Sequence, residues 1–206
     1  MTERFADLKK IPPEPAARVM SGVNYKLKTR LDLPASATVP EVLTALAEKE
    51  AWIDVLKLLS AALPPRECVW WACLAARDIV GEGPENATPC LKAAEAWVFK
   101  PDDKNRQAVR ASLDNVYVDD DTSLCATAAM YAPGDMGPGD LADFPAPQGA
   151  VEACVFGMVI EAVGAADDFD GHMQVVIDRA LDIARGGNGQ VEALASSPTD
   201  KQEEGV

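Results

Sequence analysis

Four kinds of residue in this chain have the type or spacing to do chemistry: one histidine, two carboxylate clusters, five cysteines and a pair of adjacent tryptophans. His172 is the sole imidazole, so any Ser-His-Asp or Cys-His relay would have to run through it. It stands beside Asp167, Asp168 and Asp170 at the start of a predicted helix, where a surface position is expected. No second histidine and no Cys-x-x-Cys accompanies it, and no metal site is expected. Residues 165–172 (AADDFDGH) have the outline of a calcium loop. Setting Asp170 and Gly171 at loop positions five and six, however, puts Ala166 first and Ile177 twelfth, where carboxylates belong. Asp119, Asp120 and Asp121 form the second cluster, with no glycine to turn the chain around them. Both clusters read as capping and solvating groups. Residues 186–189 (GGNG) lack the Lys and Ser/Thr of a phosphate loop and follow a helix instead of opening one. The expectation is a protein without catalytic residues or cofactors.

Cys68, Cys73, Cys90, Cys125 and Cys154 are odd in number and lie among Ala, Val, Leu and Trp, where free cysteine acts as a small buried hydrophobe. That usage fits a reducing compartment. Residues 1–10 (MTERFADLKK) hold no apolar run of the signal-peptide kind, and no stretch supplies the ~18 uninterrupted apolar residues of a spanning helix. The nearest, residues 150–166, is broken by Glu152 and Glu161. A cytoplasmic location is expected.

The tryptophans sit in residues 64–81 (PPRECVWWACLAARDIVG). Neighbours on a helix lie about 100° apart, so Trp70 and Trp71 cannot enter one groove. One can face a core built by the helices of Trp52 and Trp97, and the other needs a separate cover. Trp70 is therefore a candidate partner-binding residue. Residues 132–149 (APGDMGPGDLADFPAPQG) supply the other candidates, Met136, Leu141 and Phe144. A long loop inside a compact domain is often functional, and this one can either pack as an Ω-type cover or offer apolar contacts to a partner. Lys100, Lys104, Arg106 and Arg110 form a basic cluster without interleaved aromatics and read as a solvated helix face.

The elements that must hold these residues are helical. Residues 38–41 (TVPE) form a capping box, Trp52 to Leu59 carry a second apolar stripe, and Pro64–Pro65 open a third helix closed by Gly81. Thr88-Pro89, Asp102 and Thr122 start the next three, and two more run over about 150–165 and 171–185. No sustained period-two alternation occurs. The expected fold is all-α: a single-domain orthogonal bundle of about eight helices arranged as hairpins over residues 38–186. An irregular arm covers residues 1–37, with Phe5, Leu8 and Ile11 as anchors, and residues 187–206 are expected to be a disordered tail.

Charge is divided along the chain. Residues 1–110 carry 16 Lys+Arg against 15 Asp+Glu, and residues 111–206 carry 3 against 18, so a net of +1 meets a net of −15. An acidic half repels phosphate and anionic lipid, arguing against nucleic acid or a membrane surface as partner and toward a protein with a basic surface.

Residues 62–77 (ALPPRECVWWACLAAR), 92–98 (KAAEAWV), Pro101, Arg106, the Pro-rich segment before residue 150 and residues 180–187 (ALDIARGG) together resemble an uncharacterised family of bacterial helical proteins, a domain of unknown function. The similarity spans most of residues 40–187, and the double-Trp segment is its most specific part. The resemblance implies a setting beside type VI secretion or related injection-machine modules of proteobacteria, and it carries no catalytic or binding residues. The chain departs from the family pattern at residues 129–136 (AMYAPGDM), where a Phe-Trp-Ser-Gly-like stretch is expected. The first functional expectation is a non-catalytic adaptor or accessory protein. The alternatives are a small-ligand or divalent-cation-binding protein or an enzyme using the clusters at 119–121 and 167–170, and a self-associating structural domain.

Overall fold

The structure, a computed structural model, describes residues 2–117 and 120–191. Local signals set the helix ends. The third helix of the body starts at Pro65, whose missing N–H costs nothing there, and stops at Gly81, held at φ +94°. In the capping box the Glu41 carboxylate accepts from the Thr38 amide at 2.7 Å and its hydroxyl at 2.8 Å. Asp102 accepts from the Asn105 amide at 2.9 Å and opens its helix as expected. Thr122 instead turns its buried hydroxyl to Asp120 and to Thr88, leaving the cap unfilled.

Nine α-helices result among the described residues: α1 (Ala16–Gly22), α2 (Val39–Glu48), α3 (Trp52–Ala62), α4 (Pro65–Val80), α5 (Pro89–Phe99), α6 (Asp103–Asp114), α7 (Ser123–Tyr131), α8 (Ala150–Ala165) and α9 (Phe169–Arg185). No strand forms among those residues, only two isolated bridges. The eight helices expected from residue 38 onward are α2–α9, and α1 is the addition. The fold is an all-α bundle. Its axis is the pair α4 and α8. Helices α5, α6 and α7 pack on one another beside it, α2 and α3 form a hairpin against α8 at the other side, and α9 crosses α8, α4 and α3.

The helix that is apolar nearly all round is buried along most of its length, with Trp70 and Leu74 left half-buried. Trp71 is fully enclosed, and its indole donates to the Val176 carbonyl of α9 at 2.9 Å. Its cover thus includes α9, which the sequence reading did not name beside the helices of Trp52 and Trp97. The difference arises because α4 packs against α8, α7, α5 and α9, while α3 sits mainly on α2, α8 and α1. The arm belongs to the same core. Phe5 and Leu8 are buried and Ile11 packs against them. Arg4 reaches Asp178 at 2.7 Å and Gln174 at 2.8 Å, and the Lys10 amide donates to the Ala184 carbonyl at 2.9 Å. Farther along, the buried carboxylate of Asp54 accepts the amides of Lys28 (2.9 Å) and Thr29 (2.7 Å). Burial alone would raise the Asp54 carboxyl; those N–H donors outweigh it and hold it below its ordinary range.

Candidate functional site

Where the arm, α4, α5 and α9 meet, the surface opens into a groove of about 560 Å³. Trp70 lines it from α4, Val98 and Phe99 from the end of α5, and Ile183 from α9. The last turn of α5 explains Phe99. Trp97 and Val98 turn inward, Lys100 ends the helix, and Phe99 is left 88% exposed at the lip.

Trp70 is half covered. The chain leaving α9 turns at Gly186 (φ +107°) and passes over α4, where the Asn188 carbonyl accepts the Trp70 indole N–H at 2.7 Å. Gly189 makes that turn-back feasible. It sits at φ +76°, and a Cβ there would lie 2.6 Å from the Leu74 side chain and about 3 Å from Ile183. Its amide is held by the Asp182 carboxylate at 2.8 Å. The GGNG stretch therefore has a structural purpose: it brings a carbonyl to Trp70.

The polar rim is largely committed to pairs. Lys10 binds Glu67 at 2.9 Å, and Arg77 grips Glu95 with two bonds of 2.7 Å, which ties α4 to α5 and raises the Arg77 pKa. Arg66 is exposed and donates its Nε to the Val98 carbonyl at 2.7 Å. Among the described residues no acceptor meets its two terminal nitrogens. The groove thus offers an apolar floor, two aromatic faces and one guanidinium with open donors. Its lining holds no histidine, cysteine, serine or threonine. It suits an apolar side chain carried on a backbone that Arg66 can bond.

Met136, Leu141 and Phe144 lie elsewhere and line no part of this groove. Residues 132–149 close on themselves. The Met136 amide donates to the Phe144 carbonyl at 2.8 Å and the Ala146 amide to the Gly134 carbonyl at 3.0 Å. Met136 and Leu141 are half-buried, and Phe144 is 60% exposed. Arg106 pins the loop. It is 4% exposed and bonds the Met130 carbonyl and the Asp135 carboxylate, whose pKa the guanidinium lowers. The solvated face expected for the basic cluster is therefore corrected at this residue, which the returning loop buries. A second cavity of about 290 Å³ lies beside it, sharing no lining residue with the first.

Among the described residues the carboxylate clusters do not converge. Asp120 is spent on Thr122, and Asp168 caps α9 by accepting the Gly171 amide at 2.9 Å. Asp119 lies outside the described residues. Among those described, no group of three His, Cys, Asp or Glu side chains is placed to hold a metal ion. His172 is not at the surface. It turns toward Asp78 of α4, with Nε2 at 3.1 Å from the carboxylate that Arg179 also grips. His172 Nε2 makes no hydrogen bond among the described residues, so the tie between α9 and the end of α4 is the Arg179–Asp78 pair. The thiols are free, and four of the five are buried. Burial pushes Cys68 and Cys125 up, and Cys90 up to about 11.

Sequence reasoning missed Phe99, Arg66 and the fold-back over Trp70. Only the run Trp97-Val98-Phe99, three large apolar residues at a helix end, could have signalled that one would be left outside.

No helix among the described residues is long and apolar enough to cross a membrane. No curated protein and no solved structure matches the chain. One family model does, over residues 42–184: DUF6931, a family of unknown function.

Proposed function

The chain belongs to this family of unknown function, and on that footing we propose that it is a non-catalytic helical adaptor or accessory protein that docks another protein in the groove between Trp70 and Phe99. One observation carries the reading: an aromatic side chain 88% exposed at the lip of an apolar-floored groove. Leaving a phenylalanine in water forgoes roughly 1.5–3 kcal/mol of burial, a cost that a partner's side chain recovers. Tryptophan and an arginine beside the cavity match the residue types that anchor interfaces. The partner's flanks are basic, since the net charge of −15 over residues 111–206 attracts them. The setting to search, on the resemblance described above, is the cytoplasm and its type VI secretion or related injection-machine components.

Phe99→Ser tests this directly. The side chain contributes little to the core, so the variant keeps the wild-type melting temperature. Tagged wild type and variant, purified from the native host at low salt, are compared by mass spectrometry. A stoichiometric protein retained by wild type and lost at least tenfold with Phe99→Ser supports the proposal. A partner held equally by both, or no partner with wild type, sinks it.

A further inference from the structure

The groove beside Phe99 does not select a charge: its charged lining residues, Lys10, Arg66, Glu67 and Glu95, sum to zero. The cavity of about 290 Å³ across the α5–α6 turn does. Residues 97–103 run between the two. Val98 and Phe99 line the groove, and Trp97, Pro101, Asp102 and Asp103 line the cavity. Four residues of chain carry Phe99 to Asp103, a span of at most about 14 Å. We propose that the cavity receives a lysine or arginine side chain from the same partner segment whose apolar side chain docks at Phe99, with Asp103 meeting the cation and Arg106 a backbone carbonyl beside it. The inference rests on the adaptor reading and names what the partner must carry: an apolar and a basic residue, about four positions apart in an extended segment.

Charge is the first support. Asp102, Asp103 and Asp135 line the cavity against one guanidinium, Arg106, so three negative charges against one positive leave −2. Lys100 holds Asp102 from outside the lining at 2.9 Å, which still leaves one negative charge over. Asp103 is that charge. It is exposed and makes no hydrogen bond or ion pair among the described residues, so the fold does not consume it.

Arg106 is the second support. Its side chain is 5% exposed, and its Nε and Nη2 are spent on the Met130 carbonyl and on Asp135. Its Nη1 meets no acceptor among the described residues, yet it is not sealed in. The one buried side-chain nitrogen or oxygen left without a partner there is His172 Nε2. An open donor on a buried guanidinium, beside an open carboxylate, calls for an acceptor and a cation together. A peptide unit with a basic side chain supplies both. Trp97, Pro101 and Pro138 give its methylene stem an apolar wall. An anion alone would face the carboxylates, and a bare metal ion would face the guanidinium. Neither contact has to be strong, because a segment held at Phe99 presents its basic side chain to the cavity at an effective concentration in the millimolar range.

The test uses the full chain and two probes, Nα-acetyl-lysine amide and Nα-acetyl-norleucine amide, which differ by the ammonium group. The Gly139 amide and the Gln107 side-chain amide, both at the cavity, report binding by NMR titration. The expected result is saturable shifts of both with the lysine probe and at least fivefold weaker binding of the norleucine probe. That preference disappears in Asp103→Asn and returns in Asp103→Glu. An equal response to the two probes, no response to either, or a preference that survives Asp103→Asn overturns the proposal. A linked probe, acetyl-Leu-Gly-Gly-Gly-Lys-amide, also shifts the Phe99 amide and binds several-fold tighter than acetyl-Gly-Gly-Gly-Gly-Lys-amide; no gain from the leucine overturns the shared segment. Partner capture separates this idea from the adaptor reading. A Phe99-dependent partner held equally by wild type and Asp103→Asn sinks the cavity inference alone. A lysine-selective cavity with no Phe99-dependent partner sinks the adaptor reading alone.

Discussion

Glu152 shows at the scale of one residue how this core tolerates a charge. It sits in the first turn of α8, half-buried near Tyr25, Cys68 and Cys154. Burial raises its pKa above the ordinary glutamate range, and its negative charge adds to the burial that pushes Tyr25 up to about 12. A carboxyl with a raised folded-state pKa binds its proton more tightly in the native chain. Its contribution is fully present below the unfolded value and is lost as pH rises through the folded value. Glu152→Gln therefore raises the melting temperature at pH 7 and leaves it nearly unchanged at pH 4. Thermal melts at the two pH values check this; an equal shift at both would show that packing, not ionisation, sets the effect. Asp54 has the opposite sign: its depressed carboxyl contributes stability above the unfolded value and loses it as acid is added.

At the scale of elements, the helices were legible because their signals are local. Thr38 with Glu41, Pro65, Pro89 and Asp102 each start a helix within a residue or two of the expected place. What a residue faces was less legible. Arg106 and Lys104 look alike in the sequence, and only the return of residues 132–149 buries one of them. Phe99 continues the apolar run of Trp97 and Val98, and no neighbour in sequence reveals that the helix ends with it outside. Trp70 was legible as the indole needing a separate cover, but the carbonyl that meets it comes from 118 residues away. The Arg106 pin makes its own prediction. Arg106→Ala removes the bonds to the Met130 carbonyl and to the Asp135 carboxylate, which keeps the Gly137 amide and some solvent, costing about 1–3 kcal/mol. Limited proteolysis should then cut within residues 132–149, while the wild-type loop resists. A loop equally resistant in the variant would show that its backbone bonds suffice.

For the whole molecule, charge asymmetry sets how partners arrive. The near-neutral first half supplies the groove's Trp70, Phe99 and Arg66, and the strongly acidic second half supplies Ile183 and Asn188. Screening shortens the reach of these charges from about 10 Å at 0.1 M salt to 3 Å at 1 M. Association of a basic partner should therefore slow about tenfold or more across that range while dissociation changes little, as stopped-flow binding would measure. A rate that ignores salt would mean that apolar contact alone drives the encounter.

The bonds from Arg4 to Asp178 and Gln174 join residues 174 and 170 positions apart. During synthesis at roughly 5–20 residues per second, the arm emerges some 9–35 s before the helix that receives it. Through that interval Arg4 lacks the Asp178 carboxylate and the Gln174 amide oxygen that hold it in the folded chain. The arm is made well before α9, so these bonds close only once α9 has left the ribosome.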